Sequence, residues 1–446
     1  MSPNMKEKLR IIDLFAGIGG MRLGFEQACA ERSISTECVL TSELKPWAIR
    51  VLEDNFSHHN IQGDITCIGN EEIPPFDILL AGFPCQPFSA GGKRNGFLDT
   101  RGTLFFELER IIRYHRPTGF ILENVEGLVK HDRAKSSDPI GRTLSTILYT
   151  LETELGYDVS WEVLDSQDFA VPQARKRIYI VGSSKSKVNL RQFPVNRKAL
   201  CDVLESGQPG IDSQLTRKLF ERFAIQDLHG KAIKDKRGGG NNIHSWELGL
   251  KGECTDEQIS LLNRLFRERR KKLWAKQIGI TWMDGMPLTL KQIRSFYQDG
   301  QMFAQDNLEE LLDDLVHKGY LKFEHPKNLL TRKVNGGVIT ERVYDTTKEK
   351  GYNIVSGKLS YEISAILDPG GVAPTLVATD MMRIAVPDGD VLRRLTIREG
   401  LRMFGYPENF IMRLSDAKAY DLLGNTVAVP VVKSVASRLL ESLIPG

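Results

Sequence analysis

A short apolar run at residues 9–15 breaks into Ala16-Gly17-Ile18-Gly19-Gly20, and helical spacing follows over residues 21–30. Glycines between a strand and a helix let the backbone turn sharply and let a ligand approach the main chain closely. The same outline recurs down the chain. Residues 37–40 read as a second strand, with a helix over Pro46–Asn55. Residues 76–81 read as a third strand, residues 119–123 as a fourth after a helical stretch at 104–114, and residues 177–181 as a later one. Short apolar runs alternating with helical segments predict an α/β fold: a Rossmann-like, doubly wound, mostly parallel sheet with helices on both faces.

Composition narrows the class further. The chain has 446 residues, 41% of them hydrophobic, with Lys+Arg 60 against Asp+Glu 57. That is room for two or three domains with sizeable cores. No apolar run approaches the roughly eighteen residues that would mark a membrane helix, and residues 1–10 are polar, without a signal-peptide core. The six cysteines form no CxxC pair. A disulfide scaffold or a metal site is therefore not expected, and a reducing compartment fits.

Two acids stand at strand ends beside the glycine loop. Glu43 closes the second strand, and Asp64, in Gly63-Asp64-Ile65, precedes the third. An acid at such a place accepts hydrogen bonds from ribose hydroxyls. The glycine loop alone would serve any strand–turn–helix; with both acids it reads as a site for an adenosine-containing ligand. No GxxxxGK[ST] run is present, which disfavours an NTPase.

The third strand runs into Ala81-Gly82-Phe83-Pro84-Cys85-Gln86-Pro87-Phe88-Ser89. A cysteine between two prolines sits on a stiff loop at a strand's carboxyl end, which suits a nucleophile. Cys29, Cys38 and Cys67 read as ordinary buried hydrophobes. Glu123-Asn124-Val125 ends the fourth strand, where a carboxyl group can serve as general acid. Gln173-Ala174-Arg175-Lys176-Arg177 precedes a further strand, and alternation predicts Gln173, Arg175 and Arg177 on one face.

Taken in this order, these segments resemble the cytosine-C5 DNA methyltransferase family of bacterial restriction–modification systems. DLFAGIGG resembles the family's S-adenosylmethionine loop, GFPCQPFS its catalytic motif, ENV its glutamate motif and QARKR its QxRxR motif. Near the C-terminus, Arg394-Leu-Thr-Ile-Arg398-Glu399 with Phe404-Gly-Tyr-Pro407, and Gly424-Asn425-Thr426-Val427, match as well. The resemblance implies that the Cys85 thiolate adds to C6 of a flipped cytosine and makes C5 nucleophilic. Glu123 is implied to act at N3 and Arg175 at O2, with Arg177 and Gln173 supporting the pocket. S-Adenosyl-L-methionine is the implied cofactor. Phe15, Gly17, Gly19, Gly20, Glu43, Asp64, Asn425 and Thr426 hold it by analogy, and Pro84 lies between it and the base. Residues 89–100 resemble the loop that closes over DNA, and Gln86, Ser89, Lys93 and Arg94, together with Gln173, are expected at nucleic acid.

Residues 1–185 plus 422–446 are expected to form the catalytic domain, and residues 186–421 a smaller, mixed and irregular target-recognition domain. Basic residues lie in that stretch beside glycines or aromatics. Lys236 and Arg237 precede Gly238–Gly240, and Arg269 and Lys271 lie close to Trp274. They suit phosphate contacts, though the run at 267–272 reads equally as a solvated helix face. A helix–turn–strand pattern at residues 309–323 resembles part of a winged helix. The last segment, residues 426–443, is expected to return as a helix beside the glycine loop. The partners implied are double-stranded DNA and a cognate restriction endonuclease acting on the same site, with no membrane. A monomer in a bacterial cytoplasm is expected. A transfer-RNA cytosine-C5 methyltransferase on the same core, a catalytically silent DNA-binding relative and a dinucleotide-dependent oxidoreductase are the alternatives.

Overall fold

A computed structural model describes residues 8–57, 60–84, 103–235, 241–297, 307–334, 337–355 and 361–443. The chain divides into two compact units. One comprises Met1–Gly210, Leu367–Gly389 and Arg393–Gly446; the other comprises Ile211–Ile366 with Asp390–Leu392.

The first unit is built on a seven-stranded sheet. Its strands are β1 (Leu9–Leu14), β2 (Thr36–Ser42), β3 (Ile61–Gln62), β4 (Ile78–Gly82), β5 (Gly119–Val125), β6 (Asp158–Asp165) and β7 (Lys176–Ser183). Their spatial order is β3-β2-β1-β4-β5-β7-β6. The strands from β3 to β5 run parallel, whereas β7 is antiparallel to β5 and to β6. The sheet is therefore mixed rather than parallel throughout, and β6, half-buried at the edge, has no counterpart in the apolar runs. The central strands are covered on both faces, so they carry unbroken apolar runs. Alternate residues feed two cores. Ile12, Leu79 and Leu122 pack toward Leu108, Ile111 and Ile147 of α3 (Thr103–His115) and α4 (Arg142–Tyr149). Ile11, Leu80 and Ile121 pack in the opposite core with Phe25 of α1 (Gly20–Ala30). α2 (Pro46–Asn55) starts with proline at its first turn, where the missing N–H costs nothing.

The second unit holds α5 (Gln214–Arg222), β8 (Ala232–Ile233), β9 (Asn242–Ile243), α6 (Asp256–Glu268), α7 (Lys272–Ile278), α8 (Leu290–Tyr297) and α9 (Leu308–His317). β10 (Leu321–Glu324), β11 (Lys327–Val334), β12 (Gly337–Tyr344), β13 (Gly351–Ile354) and β14 (Ala365–Ile366) complete it. Thr255 and Gln258 cap α6 reciprocally, each side chain on the other's main-chain N–H at 3.2 Å. β10 pairs antiparallel with β13, and Leu288 joins β13 through two backbone bonds to Tyr352 of 2.8 and 3.1 Å. β11 and β12 form a separate two-stranded ribbon. Leu262, Leu265, Met286, Leu288, Ile293, Leu312, Leu315 and Ile354 make one core. Bridge, helix, helix, strand, ribbon, strand is the order of a winged helix, and it contains the pattern at residues 309–323.

The chain then adds α10 (Ala378–Met381), β15 (Ile384–Asp388), β16 (Val391–Arg394), α11 (Ile397–Arg402), α12 (Asp416–Asn425) and α13 (Val429–Leu443). α13 lies on α1: a Cβ on Gly24 would stand 2.7 Å from Val432 and 2.8 Å from the Val429 carbonyl. Fully buried Arg393 holds Asp388 at 2.8 Å and Glu399 at 2.7 Å, which fixes the turn into α11.

Candidate active site

The glycine loop leaves β1 with Phe15 and Gly17 both at φ 56° and Gly19 at 78°. A phenylalanine at positive φ is uncommon and marks a constrained position. Gly20 is required by proximity. A Cβ there would lie 2.5 Å from the Tyr406 hydroxyl and 2.8 Å from Val427. The loop thus sits directly against the Asn425-Thr426-Val427 segment. Thr426 Oγ1 is 2.7 Å from the Tyr406 hydroxyl. Asn425 is exposed, and its Nδ2 donates to the Asp421 carbonyl at 2.8 Å.

Glu43 is held by three backbone N–H groups: Gly17 at 2.7 Å on Oε2, and Leu44 and Lys45 at 2.8 Å on Oε1. Glu43 N donates to Gln62 O at 3.1 Å, and Ser42 Oγ donates to Gly63 O at 2.7 Å. The ends of β2 and β3 therefore lie side by side, which brings Glu43 and Asp64 together. Asp64 is exposed, and its Oδ1 accepts from Thr66 N and Oγ1.

Asp13 is an acid that motif reading passed over. It is fully buried on β1, and its carboxylate oxygens have no hydrogen bond of good geometry, only a weak approach of the Arg22 main-chain N–H. Burial pushes its pKa up to about 8; Arg22 opposes this, while Glu26 and Glu43 add to it. A buried carboxylate so weakly partnered leaves most of the desolvation cost uncompensated. A bound cation would compensate it. S-Adenosylmethionine carries a sulfonium and an ammonium group, and its adenosine suits the two strand-end acids, so this set of residues fits the cofactor.

Glu123 lies near the end of β5, opposite Gly82 of β4, and its Oε2 would be 3.6 Å from a Cβ on that glycine. It is 8% exposed. Burial raises its pKa, while Arg177 and Arg175 pull it down. Arg177 Nε lies 3.2 Å from Glu123 Oε1. Asn124 Nδ2 donates to the Phe83 carbonyl at 3.0 Å, so the end of β5 is tied to the segment leading into Cys85. Exposed Pro84 is the last described residue there; Cys85, Gln86, Ser89, Lys93 and Arg94, with the rest of residues 89–100, lie outside the described residues. A cavity of about 320 Å³ opens beside this pair, lined by Val125, Glu126, Asp165, Lys176, Arg177 and Thr375 among others. That is at the small end for ligand sites, roughly 300–1,000 Å³.

The QxRxR residues do not share one face. Only Arg177 lies within β7 and meets Glu123. Arg175 is buried and donates to three carbonyls: Leu376 at 3.0 Å, Gly424 at 3.2 Å and Thr426 at 2.8 Å. Gln173, expected at nucleic acid, is instead fully buried between the Met403 carbonyl and the Leu376 N–H. In the second unit Arg269 is likewise buried, with Nη1 on Asn353 Oδ1 at 2.6 Å and on the Ile354 carbonyl at 3.0 Å. Lys271 is 57% exposed and bridges Glu268 at 2.8 Å. Lys236 and Arg237 lie outside the described residues. Among the described residues no cluster of His, Cys, Asp and Glu could hold a metal ion, and no helix is long and apolar enough to cross a membrane.

The family model for C-5 cytosine-specific DNA methylases matches residues 9–441. The chain belongs to the C-5 cytosine-specific DNA methylase family. This methylase is 54% identical to the Type II methyltransferase M.NlaIV of Neisseria lactamica, over 98% of its own length and all of that protein. It is 42% identical to M.BanI of Aneurinibacillus aneurinilyticus, over 98% of this chain and 96% of the other. The solved structure of the Entamoeba histolytica methyltransferase EhMeth shares the fold, with a TM-score of 0.53 at 16% identity and 98% coverage of both chains. The methylase is thus a DNA cytosine-5 methyltransferase with an S-adenosylmethionine-type donor, and the oxidoreductase alternative is set aside.

Proposed function

We propose that this methylase flips a cytosine out of a specific duplex site and methylates it at C5 with the Cys85–Glu123–Arg177 set, protecting the DNA of a bacterial cytoplasm from a cognate restriction endonuclease. The pairing of Glu123 with Arg177 at 3.2 Å, on neighbouring strands beside the segment that leads into Cys85, carries this reading. Cytosine C5 is a poor nucleophile. Addition of the Cys85 thiolate forms an Sγ–C6 bond and moves the C5=C6 electron pair onto C5. The raised pKa of Glu123 keeps a proton on its carboxyl that can be shared with N3, which relieves the charge entering the ring, and that proton returns to Glu123 when the thiolate leaves. Loss of the C5 proton to a base then re-forms the double bond and expels the thiolate. S-Adenosylmethionine supplies the electrophilic methyl group when bound.

Arg177, not Arg175, takes the base O2 in this reading. The support is that Arg175 already spends three donors on carbonyls, whereas Arg177 lines the cavity. A role for Arg175 in the fold follows. Phe15, Gly17, Gly19, Gly20, Glu43, Asp64, Pro84, Asn425 and Thr426 form the cofactor site, and Asp13 joins them as the acid facing its positive charge. The first unit is the catalytic part and the second the target-recognition part. Gln86, Ser89, Lys93, Arg94, Lys236, Arg237 and Lys271 stay as DNA contacts; buried Gln173 and Arg269 do not. The protein works as a monomer.

Bisulfite sequencing of DNA from cells making the protein tests the reading. Methylcytosine confined to one short motif, and absent with Cys85→Ser, is the expected result. An unmethylated genome with folded, cofactor-binding protein, or retained methylation in Cys85→Ser, would overturn it.

A further inference from the structure

The β11–β12 ribbon is built unlike the rest of its unit. Eight residues of each strand pair in register, from Lys327↔Tyr344 to Val334↔Gly337. At about 3.4 Å per residue the ribbon is about 27 Å long. Leu329 and Arg342 face one side and Leu330 and Glu341 the other, yet all four are exposed, with Leu329 at 41% and Leu330 at 38%. Neither face is covered at this level. A two-stranded ribbon covered on neither face is marginal in water. The ribbon's length and its exposure at this level therefore call for an occupant.

Charge identifies that occupant. Residues 327–344 carry Lys327, Arg332, Lys333 and Arg342 against Glu341 alone. The root of the ribbon adds to this. Asn328 Oδ1 accepts from Thr281 N at 3.0 Å, and Arg342 Nη2 donates to the Trp282 carbonyl at 3.0 Å. Lys272 Nζ lies 5.6 Å from the Trp282 ring centre, and Trp282 Nε1 donates to the Arg270 carbonyl at 3.1 Å. Trp282 thus joins the ribbon to the exposed basic segment containing Lys271, Lys272 and Lys276. The helix of this winged-helix order has the opposite sign. α9 carries Glu309, Glu310, Asp313 and Asp314, of which the first three are exposed. Four acids repel phosphates, so α9 is unsuited to enter a DNA groove. The basic ribbon opposes pairing with its own copy for the same reason. A two-stranded ribbon does fit the DNA major groove, about 12 Å wide.

We infer that the β11–β12 ribbon, and not α9, enters the groove of the duplex target, with Lys272 and Lys276 on the flanking backbone. This rests on the DNA-methylating reading above and names the element through which the second unit engages its substrate.

Three variants of the full chain test it. In the first, residues 331–340 give way to Asn-Gly between the paired Leu330 and Glu341, a turn that suits a shortened hairpin. The second is Arg332→Glu with Lys333→Glu. The third is Glu309→Gln with Glu310→Gln. Duplex binding across a salt series, S-adenosylmethionine binding and the methylated sites are read for each. The first two variants are expected to keep the cofactor and lose at least tenfold in duplex affinity. In the charge-reversal variant the slope against log salt should become shallower by about two, near 0.9 per lost phosphate contact. The third should bind DNA as well as the parent or better. If the shortened ribbon lost the cofactor, it would be reporting misfolding, and the charge-reversal variant would decide. Affinity, slope and site choice within twofold of the parent would overturn the inference. So would tenfold weakening in the α9 variant, or a parent dimer that the shortened ribbon dissolves without touching DNA binding. If the parent methylated no DNA, the functional reading would fail with it; an active parent with unaffected variants would overturn the ribbon alone.

Discussion

Arg175 Nη2 donates to the Thr426 carbonyl at 2.8 Å, and this bond fastens the approach to β7 to the segment beside the glycine loop. Two arginines two positions apart therefore have different partners. Arg175→Ala should leave three buried carbonyls without donors and cost roughly 3 kcal/mol of stability, at about 1–3 kcal/mol for each orphaned group before relaxation. Arg177→Ala should unfold like the parent but lose about 10²-fold in kcat/KM, the usual scale for one missing donor at developing charge. Denaturant unfolding with steady-state kinetics separates them; the reverse pattern would return O2 to Arg175.

Glu123 has its pKa raised by burial, so its proton persists above the ordinary carboxylate range. A step that needs that proton runs at lower pH and declines as pH climbs through the raised value. Glu123→Gln should cut kcat by about 10²–10⁴-fold and abolish that decline. A pH–rate profile of kcat for both proteins checks this, and an unchanged decline in the variant would assign it to another group.

Asp13 gives a stability signature of its own. Its pKa rises from 3.8 to about 8 in the fold, so between these values the folded chain holds a proton that the unfolded chain has lost. Stability of the cofactor-free protein should fall as pH rises through that window. A cationic ligand favours the ionised carboxylate, so S-adenosylmethionine affinity should increase up to about pH 8. Asp13→Asn should flatten both slopes and weaken cofactor binding at least tenfold. Thermal melts and calorimetric titrations at several pH values measure both, and unchanged affinity in the variant would remove Asp13 from the site.

Gly20→Ala would force a methyl group against the Tyr406 hydroxyl and Val427. Overpacking of this kind costs about 1–3 kcal/mol. Because the strain falls between the glycine loop and Thr426, cofactor affinity should drop together with stability. Gly63→Ala, where a Cβ meets nothing within 4 Å, is the matched control and should change neither.

Much of the site was legible because motif chemistry is local. The glycine loop, Glu43 and Glu123 each stand at or near the end of a strand that its own apolar run announces, and the parallel order of β2, β1, β4 and β5 brings those ends to one edge; Asp64 follows the two-residue β3, which no apolar run announces. Spacing could not reveal which arginine of Gln173–Arg177 turns inward to carbonyls far along the chain. Nor could it show that Arg269, inside a basic run, is packed into a core.

The sequence by itself determined the α/β class, the family and the residue types available for chemistry, since these depend on period and order along the chain. Tertiary structure decided the antiparallel placement of β7 and β6, the different partners of Arg175 and Arg177, the burial of Asp13 and the exposure of Leu329 and Leu330 on opposite faces of the ribbon. The physical reason is common to all four. Burial, desolvation and hydrogen-bond partnership belong to residues distant in sequence, and only the folded chain brings them within reach of one another.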